Sequence, residues 1–440
     1  MNFRRQIHRR GAKTLRTFKN SAPLRLCGFF LFLACGAFAQ ELSPLAKVPD
    51  WSRLEQFQET ITHDEFARLL DEVYAPGNVW QATIKLDADD ALIAEDAAWS
   101  KVFTLRFSKN ETKTSPHYWH AASALPPAKQ ANKPLARLLI ALDPGHLGGR
   151  WARMEERWFR IGDSKPVAEG DMTLLTARIL AKKLRTLGAT VLFVRAQPGP
   201  LTDAGPRQLR KAALAELKRQ QIRFIRDAYD GTADPIKQNS VQWESELLFY
   251  RISEIHARGV RVNDMLRPDL ALCLHYNAEA WGDEKNPALT EKNHLHLLIN
   301  GNYAANELAL DDVRLEMLLK LLTRCFPDEL AASKKVAAAL AAATSLPPYE
   351  YTGGNARPVA GEPYLWTRNL LANRLYRCPT IYIEPYVMNS REVFDRVQLG
   401  DYEGTREING IPRKSIYREY ADAVADGLVD YCREVRAGKK

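Results

Sequence analysis

Three short apolar runs, LLIAL at 138–142, LALCL at 270–274 and TIYI at 380–383, each give way at once to a polar residue or a tight turn. Runs of four to eight apolar residues bounded by such signals read as strands buried on both faces. Between them lie amphipathic stretches: Met172, Leu175, Ile179 and Leu184 mark one helix face, which stops at Gly188 before a further strand at 190–194. Another strand is read at 296–299, and helices at about 311–323, 331–344 and 415–434. Strands alternating with helices predict an α/β domain over 135–435 with a largely parallel sheet flanked by helices.

The rest of the chain is read around that domain. From 51 to 74 apolar residues recur at mostly helical spacing, with Thr62-His63-Asp64 as a break, and strand-like pieces follow at 80–86 and 102–107. A Pro/Ala/Lys-rich linker at 125–134 then closes a small N-terminal α+β accessory domain, 40–134, to which no chemistry is assigned. A charged, helix-rich stretch at about 206–261 interrupts the strand rhythm and is too long for a simple connection, so it reads as an insertion or lid.

The net charge of +9 is misleading until it is located. Arg4, Arg5, Arg9, Arg10, Lys13, Arg16, Lys19 and Arg25 precede residue 40 with no acid among them, and removing those eight leaves about +1. A nucleic-acid partner needs a basic face in the folded part, and none is indicated. The leader has a basic start, the apolar stretch 26–38 and Ala37-Phe38-Ala39, the layout of a signal peptide over 1–39 with the mature chain starting at Gln40. Periplasmic or extracellular location is the expectation. Cysteines 273, 325, 378 and 432 remain after the leader, too widely spaced for a disulfide scaffold, and no CxxC or Cys/His zinc spacing occurs. A metal site must therefore use His and carboxylate.

Those residue types stand where a site would form. His146 follows the first apolar run, His275 ends the second and Glu384 ends the third, so a parallel sheet brings all three to its carboxyl edge. Glu169 stands just before a helix that begins near Asp171, at that same edge. Two imidazoles and one carboxylate are a common ligand set for catalytic zinc, with water in the fourth position. His146, Glu169 and His275 are the candidate ligands of one zinc ion, and Glu384 the candidate base that accepts the water's proton. Singly, each has a plainer role: a strand-end histidine is more often a hydrogen-bonded core group, and Glu169 suits a helix N-terminus. Glu384 is harder to explain away, because a carboxylate in IYIEPY must be paired, protonated or at the strand's open end. Asp143 is read equally as an orienting partner of a ligand or a turn cap.

In chain order, ALDPGHLGG, EGDMTLLTARILAKKLRTLGATVLFVR, DLALCLHYNAEA and CPTIYIEPYVMNSREVF resemble the successive motifs of the zinc-dependent N-acetylmuramoyl-L-alanine amidases of the amidase_3 class. The resemblance covers about two thirds of the chain. It implies a mixed α/β sheet flanked by helices, zinc on His146, Glu169 and His275, a catalytic Glu384, and peptidoglycan as the partner. It further implies cleavage of the amide between N-acetylmuramic acid and the L-alanine of the stem peptide. As in some relatives, an activator protein acting on the helical insertion is expected.

The departures from the family pattern are specific. Leu147 replaces a glycine, Tyr276 a small residue, and an enlarged loop, 151–167, lengthens the spacing from His146 to Glu169. Glu155 and Glu156 in that loop are rival ligands, but only Glu169 is followed by the helix, Gly188 and strand of the family. Secondary candidates are Asn277, to hydrogen-bond the site loop, and Arg368 or Arg374, to meet an anionic substrate group. His294 and His296 are candidates to line the cleft, and the aromatic-rich loop 349–366 to form its rim. Two other functions are carried alongside: a zinc hydrolase of small N-acyl amino acids or peptides, and an inactive amidase-like module that binds cell wall.

Overall fold

The computed structural model describes residues 41–437 apart from 111–112, 127–129, 285 and 409. The expected signal peptide, 1–39, lies outside the described residues. Ile140, Leu142, Leu270, Leu272, Leu274, Ile381 and Ile383 share one core, while the residues between them, Ala141, Ala271, Cys273 and Tyr382, face another. Successive strand side chains point to opposite faces, so these apolar runs produce a sheet covered on both sides.

Near the N-terminus, β1 (Ile84–Leu86), β2 (Asp90–Ala94) and β3 (Val102–Arg106) form an antiparallel sheet. β4 (Leu139–Pro144) leads to a two-stranded hairpin, β5 (Trp158–Phe159) and β6 (Val167–Ala168). Then come β7 (Thr190–Phe193), β8 (Leu270–Leu274), β9 (Leu295–Ile299), β10 (Arg357–Pro358), β11 (Leu365–Thr367) and β12 (Thr380–Pro385). The large sheet has the order β10-β11-β9-β12-β8-β4-β7. β12, β8, β4 and β7 run parallel, β9 is antiparallel to β12, and β11 follows β9. The sheet is thus mixed and largely parallel. Because β9 is reversed, its first residues arrive at the edge where β4, β8 and β12 end.

Helices Glu169–Thr186, Phe326–Thr344 and Ile416–Ala437 cover one face through Leu180, Leu184, Val336, Leu340, Val424 and Leu428. The four cysteines 273, 325, 378 and 432 are free and buried. The region before the linker has a core of its own type, but that core includes Val313, Leu315, Met317 and Leu318 of helix Asp311–Leu322. Ser43 also hydrogen-bonds Asp312 through its backbone, at 2.8 Å.

The stretch read as an insertion has two kinds of parts. Helix Pro206–Arg219 and a continuous helical run over 241–266 enclose an apolar cluster with Leu147, which includes Leu209, Leu217, Val241 and Phe249. The intervening 220–240 is largely irregular, and its Phe224 and Ile236 are exposed. Two π-helical segments, Leu248–Ser253 and Arg261–Leu266, interrupt the long run. Such a wide turn shifts the helical phase of the residues beyond it, and Glu254 and Arg258, between the two segments, are both buried.

Candidate metal centre

β4, β8 and β12 lie side by side, so their ends deliver His146, His275 and Glu384 to one place. Glu169 opens the helix Glu169–Thr186 at the same edge. One nitrogen from each of His146 and His275 and one Glu169 oxygen lie within 4.8 Å of one another. His146 Nε2 is 3.4 Å from Glu169 Oε2, and His275 Nδ1 is 3.2 Å from Glu169 Oε1. The imidazoles meet edge-on, with centroids 5.2 Å apart.

Glu169 is fully buried, which works to raise its carboxyl pKa, but His146, His275 and Arg157 outweigh that and hold it down to about 2. Burial works to lower the His275 imidazole, and Glu169 again prevails, raising it. Glu169 Oε1 accepts from the Tyr276 backbone N–H at 3.1 Å, whereas Oε2 is buried without a hydrogen-bond partner among the described residues. Oε2 has only the looser charge contacts of His146 Nε2 at 3.4 Å and Arg157 Nε at 3.7 Å, and a buried carboxylate oxygen without a hydrogen bond beside two imidazoles is a place that a divalent cation would fill. The residues present therefore fit a divalent ion such as zinc.

The turn that carries His146 is held from several directions. His146 is in the left-handed region, φ 55°, where a residue with a Cβ needs support from its surroundings. Arg195 Nη2 donates to the His146 carbonyl at 2.6 Å, and Thr173 Oγ1 donates to that of Gly145 at 2.8 Å. Gly145 has no room for a side chain: a Cβ there would meet the His275 ring at 2.3–2.5 Å. Behind His146, Nδ1 donates to Glu155 Oε2 at 2.6 Å, while Glu155 Oε1 accepts from the Leu147 N–H at 3.0 Å. That pairing fixes the tautomer and leaves Nε2 free for a metal. Glu155, a rival ligand by sequence, is thus placed to orient a ligand. Only its loop position singled it out, since a carboxylate in an irregular loop has no periodic signal. Glu156 instead pairs with Lys237.

Asp143 takes a third role beyond the two expected. Its carboxylate accepts from Arg258 at 3.0 Å and from the Tyr376 hydroxyl at 2.6 Å, and Arg258 also donates to the Pro144 carbonyl at 3.0 Å and to Glu254 at 2.8 Å. This buried network ties the turn to the helical run over 241–266. Sequence reading missed both Arg258 and Glu254.

Glu384 is partly exposed and stands across from His296 in the β12–β9 register. Its charge acts on His275 and on His296. Arg368 donates to the Tyr351 hydroxyl at 3.3 Å, and Arg374 is tied to Glu316 at 2.7 Å. Asn277 shapes the adjoining loop, its side chain accepting from the Ala278 N–H at 2.6 Å and its carbonyl from Met388 N–H at 2.7 Å. His294 and His296 are buried beneath Tyr349, and the aromatic-rich stretch read as a rim loop contains β10 and runs into the sheet strand β11. A cleft of about 330 Å³ is lined by Glu156, Arg157, Trp158, Lys237, Glu279 and Trp281, and it adjoins the cluster through Arg157, whose Nε is 3.7 Å from Glu169 Oε2.

No protein-family model matches the chain, and no curated protein does. Among solved structures it is similar to an N-acetylmuramyl-L-alanine amidase from Mycobacterium smegmatis, at 16% identity and TM-score 0.35, over 68% of this chain and 99% of that one. It is also similar to the CwlD amidase from Clostridioides difficile in complex with a lipoprotein, at 12% identity and TM-score 0.36, over 66% and 96% of the two chains. A third is an N-acetylmuramoyl-L-alanine amidase of Nostoc punctiforme, at 13% identity and TM-score 0.34, over 67% and 96%. These likenesses are faint, and the chemistry rests on the side chains themselves.

Proposed function

We propose that the chain is an exported, zinc-dependent hydrolase that cuts the amide between N-acetylmuramic acid and the L-alanine of the peptidoglycan stem peptide. The observation that carries the metal-hydrolase part is the His146–Glu169–His275 cluster with its buried Glu169 Oε2, which lacks a hydrogen bond among the described residues. The substrate follows from the order of the four sequence motifs that resemble the amidase_3 class. Export follows from the leader, with its basic start and small residues before Gln40.

His146, Glu169 and His275 would hold the ion, which supplies Lewis acidity toward an amide carbonyl and toward water. Glu384 accepts the proton of the attacking water on a carboxylate oxygen and returns one to the departing amine nitrogen. The neighbouring cleft offers Trp158 and Trp281 as apolar walls and both signs of charge, which suits a peptide carrying carboxylate and ammonium groups. A regulatory partner would act on 220–240, whose Lys237 pairs with Glu156 of the enlarged loop, whereas 241–266 is built into the turn that carries His146.

Glu384→Ala is expected to abolish release of stem peptides from purified sacculi while zinc stays bound at one equivalent, read by mass analysis and metal determination. Unchanged release removes Glu384 from the mechanism. Hydrolysis of soluble N-acyl amino acids by the wild-type protein, without release of stem peptides from sacculi, moves the substrate to small amides.

A further inference from the structure

β9 carries one histidine, His296, in an otherwise apolar strand, and a second, His294, directly precedes it; neither is there to fill the core. Leu295 and Leu297 face the main core, while His294 and His296, alternating with them, face the side on which Glu384 stands. His296 is wholly buried, its Nδ1 has no hydrogen-bond partner among the described residues, and its Nε2 is 3.7 Å from Glu384 Oε2. A buried imidazole with an unpaired nitrogen costs stability where a leucine would cost none. The other nitrogen, Nε2, faces the carboxylate opposite, a contact that a leucine could not make.

The ring is also clamped. Its Nε2 shares a 3.0 Å hydrogen bond with the Tyr351 hydroxyl, which in turn accepts from Arg368 at 3.3 Å. The Arg368 guanidinium lies over the Tyr351 ring, 5.5 Å from its centroid, and Tyr349 packs on His296 at 4.9 Å. Tyr349 and Tyr351 come from the segment before β10 and meet the imidazole directly, while Arg368, directly after β11, braces Tyr351 from behind.

We propose that His296, braced by Tyr351 and Arg368, is a positioning residue that holds the Glu384 carboxylate in its working orientation beside the metal cluster. The inference rests on the reading of Glu384 as the base. A separation of 3.7 Å exceeds a hydrogen bond, and contacts of this kind tighten when substrate fills the site. Burial lowers the His296 imidazole to about 4 against the opposing pull of Glu384, so a neutral ring faces the carboxylate at neutral pH. A neutral partner fixes direction without the counter-charge that would weaken a base.

The test uses the zinc-loaded full chain with His296→Leu, His296→Gln and Tyr351→Phe, and Glu384→Gln for assignment. His296→Leu should lower kcat up to about 100-fold, the scale of a small misplacement of a reacting group, with KM and zinc content unchanged. His296→Gln, which keeps a polar group there, should recover part of the rate, and Tyr351→Phe should lower kcat less. Independently of turnover, the carbon-13 carboxylate resonance of Glu384, identified by its loss in Glu384→Gln, should move in His296→Leu and Tyr351→Phe. Wild-type kcat and an unmoved resonance in folded variants overturn the proposal, as does a loss confined to KM or zinc content. If His296→Leu does not fold, Tyr351→Phe decides by the same readouts. A wild-type protein without amidase activity sinks the functional reading, while the resonance still decides the positioning claim.

Discussion

His146 and His275 flank one carboxylate, yet the chain secures them by different means. His275 directly follows β8 and is held by packing: its ring stacks on Tyr382 with centroids 5.1 Å apart and lies against the bare backbone of Gly145. His146 sits in a turn with positive φ and is held by buried charge, through Glu155 on its ring and Arg195 on its carbonyl, with Arg258 holding the adjoining Pro144. A strand end is fixed by the sheet around it. A loop ligand needs partners from elsewhere, and here the enlarged loop, the segment after β7 and the helical run over 241–266 supply them.

The sharpest way to break this comparison is to remove the charge that anchors the loop side. Arg258→Met should destabilise the protein by about 3–5 kcal/mol, because Asp143 and Glu254 would remain buried with their shared cation gone. Denaturant unfolding measures it. Tyr382→Phe, which keeps the ring under His275, should change stability far less. Equal losses in the two variants would mean that the histidines are held alike.

Leu147 sharpens the comparison from the packing side. The sequence shows it as a departure from the family glycine, with no reason attached. In the fold it is fully buried and belongs to the cluster of Leu209, Leu217, Val241 and Phe249, with Trp151 and Met154 of the enlarged loop against it. Two of the departures, the leucine and the long loop, therefore form one structural feature with the helical stretch, which walls the turn of His146. Leu147→Ala should cost about 3 kcal/mol of stability, read by thermal or denaturant unfolding. A cost under about 0.5 kcal/mol, typical of surface changes, would show that this wall is ornamental to the turn.

The part of the site that could be read from sequence is the part that periodicity governs. β4, β8 and β12 are continuous apolar runs, so their last residues could be placed at one edge, and Glu169 was legible from the helix it heads. Glu155 sits in a loop without period. Arg258 and Glu254 were hidden because π-helical segments shift the helical phase on both sides of them. The reversal of β9 was equally hidden, since LHLLI has the same composition whichever way it runs, and with it went the pairing of His296 with Glu384. In the N-terminal region β2 escaped notice beneath the acidic DADD, and the use of helix Asp311–Leu322 in that region's core is a long-range contact that no local pattern carries.

The smallest expected effect isolates the hydrogen bond behind His146. Glu155 makes two bonds at once, accepting from His146 Nδ1 and from the Leu147 N–H. Glu155→Gln keeps the shape but has a single carbonyl oxygen for those two donors, so one of them faces an amide N–H instead. If the amide turns toward His146, the ring is pushed to the other tautomer and Nε2 loses the lone pair it needs for a metal. If it turns toward Leu147, the turn itself loosens. Either outcome should weaken zinc binding about 10–100-fold, the usual cost of losing a partner behind a histidine ligand, or about 1.4–2.7 kcal/mol. Competition with a chromogenic chelator measures it, and Tyr382→Phe should leave zinc affinity unchanged in the same assay. Wild-type affinity in Glu155→Gln would mean that the turn alone aims His146, and that the charge behind it contributes to the fold rather than to the metal.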